Sequence, residues 1–203
     1  MPFAPTAAPG RLSGGALAIV LWGVGGVLLL VAQGIGRLTP LALDAFTSAE
    51  LTWLHWAAAS VWIAFNTYVE GHRGFHRGFA PRVVVRALAL ARRPRPWIVA
   101  LAPLYCMGLV HARRRRLVAS WCLLLGIVAI VVLVRHAGQP WRGIVDAGVV
   151  AGLAYGFVTQ VMHLVRGLSG RPVAVDPELP RGSSLRATMG PSRARAAKVR
   201  ISS

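Results

Sequence analysis

Between Leu117 and Val134 the chain reads LVASWCLLLGIVAIVVLV, eighteen residues without a single charge. As a helix this stretch rises about 27 Å, close to the roughly 30 Å of a bilayer's hydrocarbon core. A run of that length and purity reads as a membrane crossing rather than as the core of a soluble fold. Three further apolar runs, at 15–36, 51–69 and 143–166, have comparable reach. A cleaved signal peptide competes for the first, because Arg11 precedes it and VAQG offers small residues near its end. Its apolar stretch exceeds the roughly 7–15 residues of such peptides, which favours a retained anchor.

A fifth run, 97–112, is sixteen residues without Arg, Lys, Asp or Glu, clamped between RRPRP and RRRR. It would rise only about 24 Å, and Pro103 removes a backbone donor near its centre. Arginine counts decide how to read it, since basic residues gather on the cytoplasmic side of membrane proteins. If 97–112 stays on one side, the 23 basic residues divide 20 to 3; if it crosses, they divide 13 to 10. The expected fold is therefore all-α: a polytopic membrane protein with four transmembrane helices plus a short re-entrant or interfacial cytoplasmic segment. Both termini are expected in the cytoplasm.

PRVVVRALALARR, at 81–93, has proline at the first helical position and places Arg82, Arg86 and Arg93 on one stripe. That pattern predicts an amphipathic helix lying flat in the interface. Residues 1–168 thus form an integral membrane domain. The stretch 169–203, rich in Pro, Gly, Ser and Arg, is expected to be a disordered basic cytoplasmic tail.

A net charge of +17 in a soluble protein would suggest nucleic acid. Here the arginines flank apolar segments, so the expected partner is an anionic lipid surface, worth about 1 kcal/mol per basic residue near it. Only Lys198 is lysine, and Ala, Gly, Val and Arg abound, a composition of GC-rich bacterial genomes; the expected location is a bacterial inner membrane. Cys106 and Cys122 lie in apolar runs without CxxC spacing, which implies no disulfide framework.

The most distinctive motif is EGHRGFHRGFAPR, at 70–82, where His-Arg-Gly-Phe occurs twice. Arginines that take phosphate bidentately, glycines that permit close approach and phenylalanines for the acyl boundary suit a lipid-phosphate pocket. The same residues more simply make a basic turn that anchors a helix end. Glu70, His72 and His76 are candidate catalytic groups under an enzymatic reading, with Glu70 or a histidine as general base. As metal ligands they are disfavoured by the glycines between them, and no metal is expected. No cofactor is expected either, since His55 and His163, the pair that haem would need, lie at opposite ends of their crossings.

Gly148, Gly152 and Gly156, at every fourth position, form a ridge for close helix packing, against the chain's own second crossing or another subunit. Polar residues within the crossings allow an Asp146–His55 pair and a Glu70–His163 pair, with Arg142 as a nearer partner for Asp146. The expected function is that of a non-enzymatic accessory or assembly factor. It would bind anionic lipid or a protein partner through Arg73, Arg77, Arg82, Arg86, Arg113, Arg114, Arg115 and Arg116. The rival is an enzyme or carrier acting on a phospholipid or isoprenoid phosphate around Glu70–Arg77.

Overall fold

A computed structural model describes residues 12–48 and 50–170. The expectation of a disordered tail concerns residues outside this range from 171 onward. Every element among the described residues is helical: α1 Gly14–Ser48, α2 Trp53–Asn66, a π-helical segment Thr67–Phe79, α3 Ala80–Arg92, α4 Pro96–Ala100, α5 Ala102–Met107, α6 Arg114–Val134 and α7 Trp141–Leu168. Three of them, α1, α6 and α7, are long and apolar enough to cross a membrane. The second apolar run falls short on its own because its α-helix ends at Asn66 and continues as a π-helix.

α1 is longer than the apolar run that announced it, continuing through Arg37 and Pro40 to Ser48. Proline in a helix interior leaves a carbonyl without its donor. Next to it, the Thr39 hydroxyl donates back to the Ile35 carbonyl at 2.7 Å, one residue before the Gly36 carbonyl that Pro40 leaves without its amide donor.

α1 and α7 are antiparallel: Gly143 sits against Leu41 and Ala45, and Gly34 against Leu153. The helical rod formed by α2, the π segment and α3 runs parallel to α7 instead. Trp62 packs at Gly148, Phe75 at Gly156 and Val84 at Gly167. α6 begins beside the end of α5, where Ser120 donates to the Met107 carbonyl at 3.4 Å and Trp121 Nε1 to that of Leu109 at 3.3 Å. It ends a short turn before α7 and so runs in the same direction as α1. Beyond Trp121 its side chains are exposed on almost every face.

The stretch 97–112 is not one helix. It folds as α4 and α5, broken at Leu101, with Pro103 in the first turn of α5 and Gly108 closing it at φ +82°. Neither piece is by itself long enough to cross a hydrocarbon core, and both lie against α1. A Cβ on Gly23 would stand 3.0 Å from Cys106 Sγ, and one on Gly26 would overlap the ring of Pro103. These two glycines are what allow a proline-containing segment to seat on α1.

α3 departs from expectation. Rather than lying flat on an interface, it is packed among α1, α5 and α7, with Val83, Val84, Ala87 and Leu90 fully buried. With Val20, Val24 and Val27 of α1, and Ile98, Ala102, Tyr105 and Cys106, they form the main apolar core. The reason is that α3 has short apolar side chains around most of its circumference. Arg86, counted toward a polar face, instead finds acceptors inside.

Candidate functional site

The π segment carries the duplicated tetrapeptide, and its backbone explains the duplication. A π-helix bonds i to i+5 and has about four to five residues per turn, so a period of four stacks like residues in columns. Tyr68, His72 and His76 form one column, with ring centroids 5.9 and 5.3 Å apart. Phe75 and Phe79 form another at 5.2 Å. Such segments usually last a single turn and frequently mark functional sites; this one extends over 13 residues.

The histidine column continues across the seam to α7. His76 and His163 lie 5.3 Å apart between ring centroids, and His72 Nδ1 shares a hydrogen bond with the Tyr155 hydroxyl at 3.2 Å. Tyr155 itself rests on Gly71, where a Cβ would come within 2.9 Å of its own. Toward α2, Ala64, Thr67 and Tyr68 with His72 and Tyr155 line an open, mainly apolar groove of about 470 Å³. At the other end, the positive charges of Arg77 and Arg166 act on His76. His76 Nδ1 and His163 Nε2 are shielded from solvent and have no hydrogen-bond partner.

Glu70 is not part of this column. Its Oε2 stands over Gly152, 3.0 Å from where a Cβ would lie. The expected Glu70–His163 pair is therefore replaced by His76–His163. Asp146 pairs loosely with Arg142, Nε to Oδ2 at 3.9 Å, and His55 accepts the Thr52 amide at 3.1 Å to cap α2. The glycine ridge faces the chain's own rod: Gly148 against Trp62 and Asn66, Gly152 against Asn66 and Glu70, Gly156 against the Phe75 ring. Among the described residues no group of three His, Cys, Asp or Glu side chains is arranged to hold a metal.

The arginines expected to bind lipid fall into different environments. Arg73, Arg77, Arg114 and Arg115 are exposed, whereas Arg82, Arg113 and Arg116 are half-buried. Arg82 reaches over Gly78, and Arg116 Nε lies against Gly108. Arg86 is the correction. It is 2% exposed and donates to the carbonyls of Tyr105 at 2.6 Å, Val110 at 3.0 Å and His111 at 3.2 Å. Its guanidinium also stacks 4.3 Å above the Tyr105 ring. A planar fork engaged on three carbonyls and an aromatic face is occupied with closing the end of α5 and is not offered to a headgroup. His111 follows at φ +51°, and burial, then Arg95 and Arg86, hold its imidazole below the ordinary 6.5.

Sequence reasoning missed Tyr155, His163 and Arg166 as partners of the tetrapeptide. The available signal was the four-residue spacing Tyr68, His72, His76, which puts the three rings on one helix face and calls for a facing partner.

No protein-family model, curated protein or solved structure matches the chain.

Proposed function

We propose that this is a non-enzymatic multi-pass protein of a bacterial inner membrane, an accessory or assembly factor that holds anionic lipid or a membrane partner through exposed arginines. The observation that carries the reading is the segregation of charge. Exposed Arg73, Arg77, Arg114 and Arg115 lie on elements that pack around the N-terminal half of α1 and the C-terminal half of α7, or start beside them. Asp44 and Asp146 sit at the opposite end, with Gln139 and Arg142. Such asymmetry suits a protein oriented by cytoplasmic arginine and held to anionic headgroups.

In this reading the chain crosses four times with both termini cytoplasmic and with α4 and α5 on the cytoplasmic side. The alternating directions of α1, the α2 to α3 rod, α6 and α7 support it, and the arginine asymmetry supplies the orientation. The enzymatic reading is less favoured because Glu70, its best general base, points at Gly152 and away from the histidine column.

The test is lipid co-purification in mild detergent from cells with mixed lipids. Enrichment of anionic over zwitterionic lipid is expected, falling severalfold in Arg114→Glu/Arg115→Glu. Unchanged lipid content in that variant, together with loss of function in Glu70→Ala, would replace the accessory reading with the enzymatic one.

A further inference from the structure

We propose that the seam between the π segment and α7 binds one lipid that ends in a phosphate monoester. Its chain would lie in the groove at Tyr68 and Tyr155, and its head at His76, Arg77 and Arg166. The proposal rests on the anionic-lipid reading above and narrows it to one site and one headgroup class.

Three features of the seam fit together. The groove is shallow and open, and is mainly apolar along Ala64, Thr67 and Tyr68. One helical turn further along the same seam the character reverses. Arg77 of the π segment and Arg166 of α7, both exposed, bring positive charge toward His76 from the two helices. An apolar trough that ends in converging cations is complementary to an amphiphile with an anionic head. Finally, His76 Nδ1 and His163 Nε2 lie beneath this end with no partner. Buried polar nitrogens without partners are uncommon, so the pair marks this end of the seam as a place where a polar ligand group would find bonding capacity unused by the protein.

The headgroup class follows from charge and oxygen count. A phosphate monoester carries three acceptor oxygens and a second ionisation near pH 6, in the range where imidazoles exchange protons. A diester offers a single charge and two free oxygens, too few for two guanidinium groups and a histidine column. Arg77 and Arg166 can each take two oxygens of the monoester in the planar geometry that arginine favours.

The test uses the full chain in mild detergent, with lipid binding read by native mass spectrometry and by competition. The probes are phosphatidic acid, phosphatidylglycerol, phosphatidylcholine and inorganic phosphate. Phosphatidic acid is expected to bind at least about tenfold more tightly than phosphatidylglycerol. Arg77→Gln/Arg166→Gln should erase that preference, and so should Ala64→Trp, which fills the groove at an exposed position. Arg135→Gln, exposed at the far end of α6 and outside the arginines assigned to lipid, should preserve it. Thermal unfolding of each variant establishes that it is folded. Equal binding of the two anionic lipids, a preference that survives both site variants, or inorganic phosphate binding as tightly as phosphatidic acid would overturn the site. If the native chain fails to prefer either anionic lipid over phosphatidylcholine, the broader lipid reading falls instead.

Discussion

Arg86 carries a full charge at a position where almost no solvent reaches, and the structure shows what makes that tolerable. Three carbonyls at the end of α5 and the face of Tyr105 take the place of water. Removing the side chain leaves those carbonyls buried and unmet, so Arg86→Ala should cost about 3 kcal/mol of stability. Arg92→Ala, at an exposed position of the same helix, should stay within about 0.5 kcal/mol. Thermal or denaturant unfolding in detergent compares the two; equal losses would mean that Arg86 does not clamp α5. From sequence, Arg86 reads as the lipid-facing arginine, on the stripe with Arg82 and Arg93. Periodicity places a residue on a face, but what that face meets depends on α5, whose Tyr105 lies 19 residues further along. The tetrapeptide was legible as a candidate site for the opposite reason, because its chemistry is local.

At the scale of elements, the apolar runs were read well where composition alone decides. α6 is long, uncharged in its interior and exposed on nearly all sides, as its uniform aliphatic sequence implies. The boundaries of α1 and the nature of 97–112 depended on context. Arg37 and Pro40 looked like an end, and only packing against α7 reveals a helix that continues. The glycines divide in the same way. Gly143 lies against the Leu41 carbonyl, 2.9 Å from where a Cβ would sit, so Gly143→Ala must push α1 and α7 apart at a cost of about 1–3 kcal/mol. Gly126 of α6 has nothing within 4 Å, and Gly126→Ala should be neutral or stabilise by up to about 1 kcal/mol through helix propensity. Unfolding midpoints of the pair test whether close approach, rather than helix propensity, fixes each glycine.

For the whole molecule, arginine asymmetry predicts that α4 and α5 return to the side they left. A cysteine at Arg115 should react with an impermeant maleimide from the same side as one at Ser13, and from the opposite side to one at Gly138. Cys122→Ser provides the background. Cys106 can remain, because burial pushes its thiol up to about 12 and keeps it unreactive. Opposite-side labelling of positions 13 and 115 would show that 97–112 crosses.

Acid stability is a second global property. His111 has its imidazole held below the ordinary 6.5, so the unfolded chain binds a proton more readily than the folded one. Its contribution is intact above 6.5 and is lost as the pH falls below that value. Unfolding midpoints should therefore decline on acidification, and His111→Gln should make the decline shallower. A slope identical in both proteins would assign acid sensitivity to other groups.

The unbroken rod from Trp53 to Arg92 makes the duplicated tetrapeptide a ruler as well as a surface. In a helix that closes every four to five residues, one His-Arg-Gly-Phe unit is nearly one turn. Adding or removing a whole unit slides α3 along its axis and turns it only slightly. Deleting a single residue instead swings everything downstream by nearly a quarter turn or more, about 100° on α-helical geometry, and carries Arg86 off its carbonyls. A whole unit thus keeps the facing of α3 but shifts it by about 6 Å on α-helical geometry, so the clamp holds only at the native length: one residue defeats it by rotation and four by translation.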